Sequence, residues 1–115
     1  MIIKIENLKL RTIVGIYDWE KEKKQDVIIN IEMEFDGTRA IESDNIEDTV
    51  DYKAITKEII DMVEENDFNL IERIAGDAIK IVMENEKVDR ASVRVDKPGA
   101  LRFTDTVSVT ETQSR

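Results

Sequence analysis

The chain contains no cysteine and no histidine. That removes disulfides, thiol nucleophiles, imidazole bases and the usual zinc ligands together. Any chemistry must therefore come from Lys, Tyr, Asp, Glu, backbone groups or the substrate itself. One proline and four glycines leave few places for a break between domains, so the 115 residues read as one domain, 1–115, around one core. Aromatics make up only 5%, and the core must be built on Ile and Val. Basic residues number 17 against 26 acidic ones, giving a formal charge of −9. A chain this acidic is a poor match to a phosphate backbone or an anionic membrane, so neither nucleic acid nor membrane is an expected partner. Charges interrupt Met1-Ile2-Ile3-Lys4-Ile5-Glu6, which reads as neither a signal peptide nor a membrane span. The expected location is the cytoplasm.

What is present is periodic. From Asp26 to Asp36, Val27, Ile29, Ile31, Met33 and Phe35 alternate with mostly polar neighbours, the pattern of a strand with one buried face. Ile2 to Ile13 alternates twice with a change of phase. Ile3 and Ile5 are odd, Leu8 and Leu10 even, which predicts a bulge at Glu6-Asn7. The period then becomes helical. Tyr52, Ile55, Ile59, Met62 and Val63 share one stripe, with Asp51 or Thr49 as N-cap. A second helix over 69–85 buries Ile71, Ile74, Ala75, Ala78, Ile79 and Val82. Strands are expected over 90–97 and 101–110, the latter with Phe103, Val107 and Val109 on one side.

The order β-β-α-α-β-β predicts an α+β fold, an antiparallel sheet with both helices on one face. The other face carries Asn30, Glu32, Glu34, Arg94, Ser108 and Thr110. Strands this long leave open edges, which copies of the chain can close into a symmetric barrel with a polar lumen. Within this frame Lys97 is anomalous. Positions 91, 93 and 95 are apolar, and Lys97 extends their parity, placing an ammonium at the end of a core-facing row before Pro98 stops the strand. Such a lysine either snorkels to water or works as an acid or base.

Four segments carry a family resemblance: Thr12-Ile13-Val14-Gly15-Ile16-Tyr17-Asp18-Trp19-Glu20, Asp48-Thr49-Val50-Asp51-Tyr52, Asn69-Leu70-Ile71-Glu72 and Asp96-Lys97-Pro98-Gly99-Ala100. In order and spacing the chain resembles the family of dihydroneopterin aldolase and dihydroneopterin triphosphate epimerase, nearly end to end. The resemblance implies the tunnelling fold, in which four subunits close a sixteen-stranded barrel and two rings stack into an octamer. It also implies active sites between neighbouring subunits, a small pterin substrate, and neither metal nor bound cofactor.

In that family the dihydropterin ring is its own electron sink, so the protein need only bind the ring and move protons. The resemblance assigns Glu72 to anchor the pterin through two parallel N–H bonds, with a contact from the Ile71 backbone. Glu72 could equally be an exposed acid in a helix's first turn. Lys97 is implied as general acid/base. Tyr52 is expected to relay a proton from the neighbouring subunit; the competing reading is a core aromatic. Glu20 would position water or side-chain hydroxyls, or be one charge in Glu20-Lys21-Glu22-Lys23-Lys24. Arg102 or Lys24 could meet a triphosphate; Arg102 could also be a surface ion pair. The same residues serve cleavage, giving 6-hydroxymethyl-dihydropterin and glycolaldehyde, and epimerisation. Cleavage is the preferred expectation, epimerisation or both activities in one site the alternative, and a non-catalytic pterin-binding ring the alternative of another class.

Overall fold

A computed structural model describes residues 1–115. The first strand, β1 (Ile2–Val14), is broken where the change of phase predicts it. Its register against β2 (Gln25–Glu34) shifts between Ile5 and Leu8, and Asn7 has a φ of 55°. The bulge is pinned by the Asn7 N–H, which donates to Asn30 Oδ1 at 2.9 Å. Between these strands lies a short helix, α1 (Asp18–Glu22). After β2 come α2 (Thr38–Ser43), a 3₁₀ turn (Ile46–Asp48) and α3 (Tyr52–Glu64). Asp51 caps α3, accepting from the Ala54 N–H at 3.0 Å. Then follow β3 (Asp67–Phe68), α4 (Ile71–Glu84), β4 (Arg90–Pro98) and β5 (Thr106–Ser114).

The sheet order is β3-β1-β2-β4-β5. The long strands pair antiparallel, but β3 runs parallel to β1 through Ile13↔Asp67 and Val14↔Phe68, so the sheet is mixed rather than wholly antiparallel. The last strand also departs from expectation. It starts at Thr106, not Leu101, because Gly99 and Phe103 take φ values of 75° and 69° and hold the connection in a loop. Phe103 is 98% exposed and lies on neither side of the sheet.

The two long helices, α3 and α4, cover one face. Val27, Ile29, Ile31 and Met33 from β2 meet Ala91, Val93 and Val95 from β4 beneath Ile59 and Val63 of α3 and Ile74, Ala78 and Ile79 of α4. Tyr52 leaves this stripe and is exposed, which removes the core-aromatic reading. The opposite face is polar and crossed by the ion pairs Lys4–Glu32, Arg90–Glu34 and Arg94–Asp96. The molecule measures 52 × 27 × 21 Å with a radius of gyration of 15.4 Å. A compact chain of this length comes to about 13 Å. The excess arises because the long strands run past the helical layer. No helix is long and apolar enough to cross a membrane.

Candidate active site

The strand parity that singles out Lys97 has a physical answer at the end of β4. Its Nζ donates to Glu20 Oε2 at 2.6 Å, with the two side chains 15% and 5% exposed. Glu20 is the only buried charged residue of the chain. It belongs to α1, a helix too short and too charged to be seen in the hydropathy pattern.

Three further groups fix the carboxylate. The Tyr17 N–H donates to Oε1 at 3.3 Å, and Gln25 Nε2 donates to Oε2 at 3.1 Å. Gly15 supplies room: a Cβ built there would overlap the carboxylate carbon and both its oxygens, and its φ of +149° disfavours any side chain. The Lys97 ammonium holds the Glu20 carboxyl below the usual carboxylate range. Burial pushes the other way, and the Gln25 amide and Tyr17 N–H reinforce the lowering. The result is a largely buried, charged pair in which the Lys97 ammonium meets Glu20 Oε2 while the Tyr17 N–H holds Oε1.

The adjoining wall comes from the segment before α4. The Gly15 N–H donates to Phe68 O at 3.0 Å, and Lys21 Nζ donates to Asn69 Oδ1 at 2.9 Å. Thr12, fully buried, donates to Val63 O at 2.8 Å and lies 3.0 Å from Asn66 O, tying the end of α3 to β1. These bonds bring the start of α4 beside α1. Glu72 is exposed in its first turn, and the Ile71 side chain is buried beneath it. A cleft of about 470 Å³ opens here between Asn66, Phe68, Asn69, Leu70 and Arg73. Neither Lys97 nor Glu20 lines it.

The other expected residues lie apart. Tyr52 begins α3, whose thirteen residues span about 20 Å, and it is Val63, at the far end, that meets Thr12. Within one chain Tyr52 therefore does not join Lys97. It lines an open groove of about 650 Å³ on the outside of α3 with Lys53, Thr56, Lys57 and Ile60. Arg102 makes no ion pair in the chain; its guanidinium lies 5.4 Å from the centre of the Phe103 ring. Lys24 is exposed, and its carbonyl accepts from Arg11. Gln25 and Thr12 were not singled out by sequence pattern. The available signal was a polar residue at each paired position, Thr12↔Gln25, where β1 and β2 run into the Gly15 turn.

Comparison with known proteins agrees with this architecture. The sequence model of the dihydroneopterin aldolase family (FolB) matches residues 3–112. A dihydroneopterin triphosphate 2'-epimerase of Pseudomonas aeruginosa is 46% identical over 108 residues, which is 94% of this chain and 88% of that protein. A dihydroneopterin aldolase of Escherichia coli is 32% identical over 108 residues, again 94% of this chain and 88% of that protein. The crystal structure of Escherichia coli dihydroneopterin aldolase in complex with neopterin superposes with a TM-score of 0.94 at 30% identity, covering 99% of each chain. The α+β architecture, with its mixed sheet and helical layer, is that of the tunnelling fold. By sequence and by structure alike, the chain belongs to the dihydroneopterin aldolase family of enzymes.

Proposed function

We propose that the chain catalyses a retro-aldol reaction on the trihydroxypropyl side chain of a 7,8-dihydroneopterin, and that its principal substrate is the triphosphate, which it epimerises at the second side-chain carbon. The observation that carries the retro-aldol reading is the buried Lys97–Glu20 pair, with Nζ and Oε2 2.6 Å apart at the end of the sheet. Glu72, exposed in the first turn of α4, offers a carboxylate to the amino group and adjacent N–H of the ring. As Lys97 takes the second hydroxyl's proton, directly or through water, it passes its own along the short bond to Glu20, so the pair gains one proton. The bond between the first and second side-chain carbons breaks, and its electrons enter the ring imine, giving an enamine and an aldehyde. Re-addition to the aldehyde's other face returns the electrons and inverts the carbon. Release of the aldehyde and protonation of the first carbon completes cleavage instead.

The higher identity to a named epimerase than to a named aldolase supports epimerisation over the cleavage expected from sequence. Cleavage of the unphosphorylated compound is the second reading, supported by the TM-score of 0.94 to an aldolase that holds neopterin. Arg102, exposed and without a carboxylate partner, is the cation for the triphosphate.

A ring of subunits belongs to the same reading. β5 leaves one sheet edge uncovered, and Ile16, Tyr17 and Trp19 around α1 are each about 60% exposed, an apolar patch beside the site. Tyr52, exposed on the outside of α3, reaches such a site only from a neighbouring copy. A cytoplasmic location goes with this assignment. The test is turnover of 7,8-dihydroneopterin and its triphosphate side by side, with chromatographic separation of epimer, hydroxymethyl product and starting material. The inverted triphosphate is expected to dominate. Loss of turnover in Lys97→Ala with ring binding retained, and roughly ten- to a hundredfold weaker binding in Glu72→Gln, are the accompanying outcomes. Binding without turnover by the unaltered protein would refute the enzyme reading.

A further inference from the structure

We infer that Gln25 is a positioning residue for the proton-transfer pair: its amide clamps Glu20 Oε2 at the place where Lys97 donates, and so sets the direction in which the pair can accept a proton. The inference rests on the retro-aldol reading above and extends it to a side chain outside the substrate's reach.

Gln25 is the first residue of β2 and sits half-buried opposite Thr12. Its Nε2 makes two bonds, to the Val14 carbonyl at 2.9 Å and to Glu20 Oε2 at 3.1 Å. An amide nitrogen has two hydrogens, and here each has an acceptor. Both partners are acceptors, so rotating the amide to present its oxygen would set oxygen against oxygen twice. The orientation is therefore determined by the contacts themselves. Val14 is the last residue of β1 and precedes Gly15, whose missing Cβ makes the slot for the carboxylate. The clamp thus joins the floor of the slot to the group lying in it.

The distribution of donors around Glu20 is uneven. Oε2 receives both Lys97 and Gln25, whereas Oε1 receives only the Tyr17 N–H at 3.3 Å. Lys97 is the one charged group acting on the carboxyl; the contacts from α1 and β2 are a backbone N–H and a neutral amide. With Gln25 removed, Oε2 keeps a single donor and the carboxylate is free to turn about its last torsion, exchanging its oxygens before Lys97. With Gln25 in place the carboxylate cannot follow the ammonium when substrate arrives. The proton must move along a fixed line, and a small misplacement of such a line lowers rate far more than it lowers binding.

Gln25→Leu and the isosteric Gln25→Glu test this, with three readouts. The first is kcat and substrate Kd on the pterin substrate. The second is the pH at which the Glu20 side-chain carboxyl titrates, read by carbon-13 NMR in protein labelled at glutamate. The third is thermal stability at fixed protomer concentration. Gln25→Leu is expected to lose roughly ten- to a hundredfold in kcat with Kd changed by less than about threefold, because the clamp lies outside the ring site. Its Glu20 titration moves to higher pH, because a donor to the charged form is gone. Gln25→Glu moves the titration further in the same direction, since a second carboxylate then faces Oε2. The titration does not depend on any reaction, so it separates this inference from the retro-aldol reading. If the unaltered protein fails to turn over pterin but the Glu20 titration shifts as stated, the clamp stands and the reaction assigned to it falls. If Gln25→Leu keeps both kcat and the Glu20 titration of the parent, the clamp is refuted. Should Gln25→Leu fail to fold, Gln25→Glu carries the test, and an unmoved Glu20 titration in that variant overturns the proposal equally.

Discussion

Replacing Lys97 by Met should cost this protein more than removing any one surface ion pair, and most of the loss should return when Glu20 is neutralised as well. At the observed 2.6 Å, and with an effective dielectric of 20, the attraction between the two charges comes to about 6 kcal/mol. Taking both groups out of water consumes much of that, which is why buried pairs add little net stability. Removing one partner is different, because the other stays buried and unpaired; the cost is then about 3–5 kcal/mol. For a domain of this size that corresponds to a fall in Tm of roughly 10–20 °C. In Lys97→Met, Glu20 still lies in its slot with only Gln25 and the Tyr17 N–H for company. Adding Glu20→Gln removes the stranded charge while keeping an oxygen for those donors. The double variant should recover to within about 2 kcal/mol of the parent, leaving a coupling free energy of at least about 1 kcal/mol even where Glu20→Gln alone costs nothing. Urea unfolding at fixed protomer concentration measures all four corners of the cycle.

The sign with pH follows from Glu20, whose folded value is depressed by Lys97. In the parent the pair's contribution is complete above the ordinary carboxylate range and is lost as pH falls through the lowered value. In Lys97→Met burial acts unopposed by the ammonium, the carboxyl takes a proton at milder acidity, and the penalty is relieved. The gap between parent and Lys97→Met should therefore narrow from pH 7 towards pH 4. Additive single effects with no recovery in the double variant, or a gap that widens in acid, would show that the pair is not the buried unit described here.

Two further substitutions probe the supports of the site. Gly15→Ala places a methyl group inside the Glu20 carboxylate at a φ of +149°, so it should abolish turnover and release Glu20 to titrate as an ordinary carboxyl; a variant with parental kcat would show that the slot is not needed. Thr12→Val keeps shape but deletes the hydroxyl that bonds to Val63 O and lies beside Asn66 O, and should cost about 1–3 kcal/mol in urea unfolding while leaving the Glu20 titration in place; an equally stable variant would mean those carbonyls are satisfied another way.

Where pattern is repeated, the sequence was legible. The alternation Val27 to Met33 appears as four fully buried side chains in a row, and the change of phase after Ile5 appears as a bulge at Asn7. The stripe Ile71 to Val82 is the buried face of α4, and Lys97 does extend the inward row of β4. What escaped is structure imposed by distant partners. β3 is two residues long, too short for any period to register, and exists because Phe68 pairs with Val14. Leu101 and Phe103 have strand-like parity, but Gly99 and Phe103 turn the backbone away before Thr106. Glu20 looked like one charge in a run, because its burial depends on Gly15, Gln25 and Lys97 converging from three strands' ends. Tyr52 shared the apolar spacing of α3 yet sits one turn beyond the layer that α3 covers. Short-range periodicity reports which face is inward; it does not report which polar group has been given a place there.

The outer margin of β5 has a consequence for the life of a newly made chain. Its nine residues, Thr106 to Ser114, present an unshielded row of amide and carbonyl groups along a strand rich in Thr and Ser. A polypeptide in that state is a template for any extended neighbour. If a second copy closes this edge, as in the proposed ring, dilution is a hazard rather than a protection: the longer a single copy waits, the more foreign strands it can accept. In that ring the rate at which copies meet, and not only the speed at which each one folds, would set how many reach a well-ordered end.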